Sequence, residues 1–226
     1  REAGIKPIIG CEVYVAPSSR FDKNAARGQR TGYHLVLLCK NETGYKNLCY
    51  LVSAGYTEGF YMKPRIDWQL LHQHAEGLVC LSGCLAGEIP QRIVQGDYEG
   101  AKARALELYE LFGEDFYLEI QDHNIPLERQ AFDGVIRISR ETGIPLVLTN
   151  DAHYISREDA YYQDVLMCVQ MGKTVDEPNR LRFETEEFYI KSEEEMRAIF
   201  PEQPEAADNT ALIAEKCNFD FSFGHY

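Results

Sequence analysis

The 226-residue sequence predicts an α/β fold, with strands and amphipathic helices alternating and polar chemistry gathered at strand ends. Apolar runs of β type at 77–82, 116–121 and 144–148 are separated by helical patterns over 97–112 and 127–142. That is the order of a parallel α/β sheet or barrel. The runs lead into Cys84, into His123, and into Asp151 with His153, at the carboxyl ends where such sheets place their binding and catalytic groups. With 45% hydrophobic and 12% aromatic residues, the chain can fill a core, which argues against wholesale disorder.

Taken in order, residues 5–15 read as a strand broken by Gly10, with Glu12 embedded in it. A carboxylate in such a run is costly unless paired or bound to metal. A long polar loop, 16–32, precedes a second strand, 33–39, which His34 opens. Asn41 caps a helix running to Ser53 with Leu48, Leu51 and Val52 inward. Residues 59–66 form a turn-rich connection, and Asp67 caps a short helix ending at Leu71. His72 and His74, among polar residues, are read as surface residues without a role.

The strand 77–82 ends in the turn Gly83-Cys84-Leu85-Ala86-Gly87-Glu88. Asp97 starts a helix whose stripe is Ala101, Ala105, Leu108 and Phe112, and Gly113 stops it. The alternating strand 116–121 stops at Asp122-His123. An amphipathic helix over 127–142 and the apolar strand 144–148 then lead to Thr149-Asn150-Asp151-Ala152-His153-Tyr154. Ser156 caps an acidic first turn before a helix at 160–170. The pattern loosens at Gly172-Lys173-Thr174, a capping box follows at Ser192-Glu193-Glu194-Glu195, and a last helix covers 206–216.

Composition narrows the function classes. No apolar run approaches the roughly 18 residues of a membrane helix, and no basic-then-apolar leader opens the chain. The first residue is Arg1, and Arg1-Glu2-Ala3-Gly4 reads as the frayed end of a helix in a fragment. Of the seven cysteines, Cys11, Cys39, Cys49, Cys80 and Cys168 sit in apolar runs. The count is odd and no CxxC pair occurs, so reduced thiols in a cytoplasmic setting are expected.

A net charge of −13 disfavours tight non-specific binding of nucleic acid by this surface. The charge is uneven: residues 174–205 hold ten Asp/Glu against four Lys/Arg, whereas residues 14–30 hold four basic residues against Asp22. That basic loop reads as a solvated loop or a phosphate contact.

Asp151 and His153 stand two apart in an extended segment, which points both side chains the same way. A carboxylate beside an imidazole is a common half-site for a divalent metal; an Asp N-cap with a surface His nearby is the other reading. Cys84, between glycines past a strand end, suits a thiolate ligand, a nucleophile or a simple turn cysteine. Cys, His, Asp and His collected on one rim favour the metal site.

The chain resembles the PHP (polymerase-and-histidinol-phosphatase) domains of the alpha subunits of bacterial replicative, C-family DNA polymerases, the polymerase III group. The resemblance rests on the segments Gly4-Ile5-Lys6-Pro7-Ile8-Ile9-Gly10-Cys11-Glu12, Tyr33-His34-Leu35-Val36-Leu37-Leu38 and Leu81-Ser82-Gly83-Cys84-Leu85-Ala86-Gly87-Glu88. It continues through Leu118-Glu119-Ile120-Gln121-Asp122-His123, Thr149-Asn150-Asp151-Ala152-His153-Tyr154, and Gly172-Lys173-Thr174 with Pro178-Asn179-Arg180. The last group separates it from free-standing PHP phosphatases.

The resemblance implies an irregular (β/α)7-type barrel with up to three divalent metals (Zn, Mn or Mg) on its carboxyl rim. Glu12, His34, Cys84, Asp151 and His153 would be ligands, His123 would lie near the site, and the nucleophile would be a metal-bound water. His34, at the start of its strand, does not fit a uniformly parallel barrel.

The implied division is a PHP domain over 1–172 without its first strands and an acidic connector over 173–226 towards the polymerase palm. The family's opening His-x-His and the ligands that follow it would lie upstream of Arg1, so this stretch alone is expected to be catalytically silent. Within the whole protein, a DNA-directed DNA polymerase, the implied activity of this part is metal-dependent phosphoester cleavage of the 3′–5′ exonuclease or pyrophosphatase class. The alternative is a structural module docking other replicase subunits, a proofreading subunit among them. The partners expected are the rest of the alpha subunit, those subunits and DNA through the whole protein, with no membrane.

Overall fold

Side-chain alternation along the strands sorts this chain into two faces of one sheet. In the computed structural model, which describes residues 3–24, 30–221 and 224, the strands are β1 (Gly10–Val15), β2 (Tyr33–Cys39), β3 (Arg65–Ile66), β4 (Leu78–Leu81), β5 (Phe116–Ile120) and β6 (Leu146–Leu148). Their spatial order is β3-β1-β2-β4-β5-β6. Eight α-helices lie among the described residues: α1 (Glu42–Thr57), α2 (Trp68–Gln73), α3 (Glu88–Val94), α4 (Tyr98–Phe112), α5 (Pro126–Thr142), α6 (Ala160–Met171), α7 (Glu193–Ile199) and α8 (Pro204–Lys216). The fold is mixed α/β.

The alternation of strands and helices predicts a parallel sheet, but the sheet is mixed. β2 runs antiparallel to both β1 and β4, while β1–β3, β4–β5 and β5–β6 are parallel. The amino end of β2 therefore lies beside the carboxyl ends of its neighbours, with His34 opposite Tyr14 and Val36 opposite Leu81. This removes the difficulty that His34 posed.

One face of the sheet is apolar along its length. Val13, Val15, Leu35, Leu37, Cys80, Phe116, Leu118 and Ile120 pack there with Leu51, Leu108, Phe132 and Ile138 from α1, α4 and α5. The other face changes character along the strands. Val79, Leu81, Tyr117 and Val147 form a smaller apolar cluster with Ile213 of α8 and Cys217. Alternation then places Glu119, Gln121, Thr149, His34 and Glu12 on this second face, towards the rim.

Caps fix the helix starts where the sequence placed them. Asn41 accepts the Gly44 N–H at 3.0 Å, Asp67 accepts that of Leu70 at 3.0 Å, and Asp97 accepts that of Gly100 at 3.0 Å. Gly143 ends α5 in the left-handed region at φ 76°, which glycine adopts at no steric cost.

Three local expectations are corrected. Gly10 begins β1 rather than breaking a strand from residue 5; Pro7 has no N–H to give a ladder. The connection 59–66 contains β3, held by buried Arg65, which donates to the carbonyls of Gly59, Thr31, Arg20 and Asp22. The turn after Cys84 runs into a helix, α3, over residues for which the sequence pattern predicts no element. Of the expected helix end at 1–4, Ala3 and Gly4 form a turn and a bend; Arg1 and Glu2 lie outside the described residues.

In the basic loop, Arg20 is bound to Glu58 at 2.7 Å and to Asp67 at 3.0 Å, so its charge is already matched within the fold. Residues 25–29 of that loop, and His225, lie outside the described residues. All seven cysteines are free thiols. Among the described residues no helix is long and apolar enough to cross a membrane.

Candidate metal centre

At the rim of the second face, Glu12, His34 and Cys84 come together. His34 Nδ1 lies 2.9 Å from Glu12 Oε1 and 3.5 Å from Cys84 Sγ, and the three donor atoms all lie within 4.8 Å of one another. Glu12 and His34 meet because they are diagonal neighbours across the antiparallel β1–β2 pair, where side chains on one face touch. The His34 ring also stands edge-on to Tyr14, its cross-strand partner, at 4.9 Å.

Cys84 reaches the pair through a glycine turn. Gly83 has φ +87°, and a Cβ there would lie 2.6 Å from the His34 carbonyl oxygen, so only glycine lets this loop close onto the start of β2. The His34 N–H donates to Ala86 O at 3.1 Å, and Gly87 pairs with His34 as an isolated bridge. Burial pushes the Cys84 thiol up to about 12, helped by the charges of Asp151, Glu12 and Glu119 and opposed by the Ala86 N–H.

Asp151 follows β6 with φ 45°, a region uncommon for a residue that carries a Cβ. Burial raises its carboxyl group above the usual range, the His153 charge opposes this, and that of Glu12 adds to it. Asp151 thus shares an electrostatic environment with Glu12, His34 and Cys84. His153, exposed, turns its Nδ1 to Asp151 O at 2.7 Å, with Asp151 Oδ1 at 3.9 Å. Its ring packs on Phe183 at 4.7 Å. The structure therefore gathers Glu12, His34 and Cys84 tightly, sets Asp151 within reach of their charge, and leaves His153 at the outer edge.

His123 lies below this loop, fully buried. Its Nε2 donates to Asn150 O at 2.7 Å and its Nδ1 to Glu128 at 3.0 Å. Burial works against a charge on this ring, but the hydrogen bonds to Glu128 and Asn150 prevail and raise its pKa. Neither nitrogen is free for a metal. His72 and His74 lie elsewhere, on Trp68 O and on Asn47 with Tyr50.

The residues that sequence reasoning missed are Glu119, Gln121 and Thr149, all beneath the centre. Glu119 is fully buried, and its pKa is raised to about 7 by that burial, against the hydrogen bonds from Thr149 and Gly83. The available signal was the one noted for Glu12: a carboxylate inside an apolar strand.

The donor set suits a divalent ion. A thiol, an imidazole and a carboxylate are the ligand types of zinc, which takes them at about 2.0–2.3 Å, so ligands around one ion stand a few ångströms apart, as these donors do. A match to the PHP domain family spans residues 1–123, more than half of the chain, and includes Glu12, His34 and Cys84. The chain belongs to the PHP domain family.

Asp151 and His153 lie beyond the matched stretch, but relatives of this PHP chain extend over them. It is 50% identical to DNA polymerase III subunit alpha of Treponema pallidum over 95% of its length, and 49% identical to that of Borreliella burgdorferi over 96%. The subunit from Thermus aquaticus is 48% identical over 98% of the chain. The chain spans less than a fifth of the length of these relatives, 18%, 19% and 18% respectively.

Proposed function

We propose that this chain is the PHP domain of a bacterial replicative DNA polymerase alpha subunit and holds a metal centre for phosphoester cleavage. The observation that carries the reading is the convergence of Glu12, His34 and Cys84 at one point of the rim. The relatives, each named DNA polymerase III subunit alpha, support its place in a replicase that acts on DNA in the cytoplasm. Residues 1–172 constitute the domain, an irregular (β/α)7-type barrel in the intact protein. Residues 173–226 lead towards the polymerase palm, anchored on the way by α8, whose neighbour Asn218 donates to Lys40 O at 2.8 Å.

Glu12, His34 and Cys84 would hold one divalent ion, with Asp151 and His153 serving it or a neighbour. A bound ion supplies water activation and charge neutralisation at phosphorus. The protein holds the donors in place, and buried His123, bonded to Asn150 O at 2.7 Å, fixes the backbone just before Asp151. Three convergent donors suffice for one ion, whereas phosphoester cleavage commonly uses two about 3.5–4 Å apart. The isolated chain is accordingly proposed to be inactive.

Nucleotide release from the 3′ end of labelled DNA, with zinc or manganese, tests the reading in the full-length protein. Asp151→Ala should lower that release roughly 100-fold or more and leave DNA synthesis intact. Release that survives Asp151→Ala would assign the chemistry elsewhere. The bound metal should also answer to pH. Because Cys84 is protonated until about pH 12, its ligation releases one proton, so zinc affinity should rise about tenfold per pH unit from this residue. Chelator competition at pH 6.5, 7.5 and 8.5 measures the slope, which should drop by about one log unit in Cys84→Ser.

One observation favours a docking module instead. α6 leaves Tyr161, Tyr162, Leu166 and Val169 exposed, a row that a partner surface could cover. Wild-type protein that binds metal yet releases no nucleotide would support that role.

A further inference from the structure

We propose that Glu119 is the positioning residue of the metal centre, tying together the three strand ends that carry its donors. The inference rests on the metal-centre reading and adds to it a residue that sets the geometry without touching the ion.

Glu119 lies inside β5 at 3% exposure, and among the described residues it forms no ion pair. A carboxylate buried this deeply is costly unless its oxygens are satisfied. Here they are satisfied by two loops. Oε2 accepts the Gly83 N–H at 2.9 Å, one residue before Cys84. Oε1 accepts the Thr149 hydroxyl at 2.5 Å, two residues before Asp151, and the Gln121 amide at 3.2 Å. Gln121 also donates to Thr149 Oγ1 at 2.8 Å.

The third link is to β2. Gly83, held by Glu119, is the residue at which a Cβ would lie only 2.6 Å from the His34 carbonyl oxygen. The backbone is tied from the other side as well, since the Glu119 N–H donates to Ser82 Oγ at 2.8 Å and Ser82 N–H donates to Tyr117 O at 3.1 Å. Cys84, His34 and Asp151 are thus referred to one side chain. A leucine could fill the same space for stability alone. What leucine lacks is a pair of oxygens that fix two loops at hydrogen-bond length.

The test compares wild type, Glu119→Gln, Thr149→Val and His34→Ala in the full-length protein. It measures zinc Kd by chelator competition, and thermal melting of the metal-free forms. Glu119→Gln turns one acceptor into a donor and should weaken zinc binding roughly 10–100-fold, the range seen when groups that orient ligands are removed. Thr149→Val cuts the β6 link alone and should weaken it about tenfold, with little change in metal-free melting. A purely structural role would lower melting and leave Kd within a factor of about three, and that result overturns the proposal. If Glu119→Gln fails to fold, Thr149→Val decides by the same criterion. Wild type without zinc affinity, or His34→Ala with wild-type affinity, overturns the metal-centre reading and this proposal with it. Loss in His34→Ala beside unchanged Kd in both other variants overturns only the role of Glu119.

Discussion

Full-length protein carrying His34→Ala is expected to bind zinc at least roughly 100-fold more weakly than wild type, since loss of a ligand should exceed the 10–100-fold cost of losing a ligand's support. His34 is the member that both others face, at 2.9 Å from Glu12 and 3.5 Å from Cys84. Without it only the carboxylate and the thiol of the three converging donors remain. The metal-free protein should melt at nearly the wild-type temperature. The ring is half-buried at the end of β2, and its edge-on contact with Tyr14 is worth about 0.5–1.5 kcal/mol. Chelator competition gives the affinity and a thermal melt gives the stability. Unchanged zinc affinity would remove His34 from the centre.

The other large effect belongs to the opposite face of the sheet. Phe132 of α5 is 0% exposed and sits in the helix-side core. Phe132→Ala should cost about 3–5 kcal/mol, the lost transfer energy plus the cavity left behind. Urea unfolding followed through Trp68, the one tryptophan of the chain, reads this loss directly. Trp68 packs against the same core and under the Arg104 guanidinium. Zinc affinity of the folded protein should be unchanged, because the donors lie on the other face. A loss below about 1 kcal/mol would mean that α5 does not cover the sheet as described.

Much of this architecture was legible because local rules and tertiary packing agree. The alternation at 116–121 became β5, the stripe over 127–142 became α5, and Asn41, Asp67 and Asp97 cap the helices they were expected to cap. Strand direction was not legible, since a period of two is the same read either way, and so the reversal of β2 came only with the fold. The short helix α3 was hidden by its glycine-bounded approach and by Pro90 within seven residues.

At the candidate site the gaps have a common cause. Cys84, Asp151 and His153 stood out because they follow strands, where chemistry is looked for. Glu12 and His34 gained weight only through resemblance, since a buried carboxylate or a lone histidine has many structural uses. Glu119 is hard to single out because one acid in an alternating strand reads as its solvent face. Only the sheet order shows that this face is closed by neighbours.

The reversal of β2 also divides what can vary in this protein from what cannot. The loop from 16 to 32 joins two antiparallel partners whose pairing is set by their own ladders. Its length can drift through insertions at small cost, because the entropy of closing a loop grows only with the logarithm of its length. Deleting a single residue from within β2 is different in kind. It would turn His34 from the rim face to the face covered by helices and bring Tyr33 or Leu35 round in its place. Over long descent, length changes should therefore accumulate between the two strands, and the count of residues from Tyr33 to Cys39 should stay fixed.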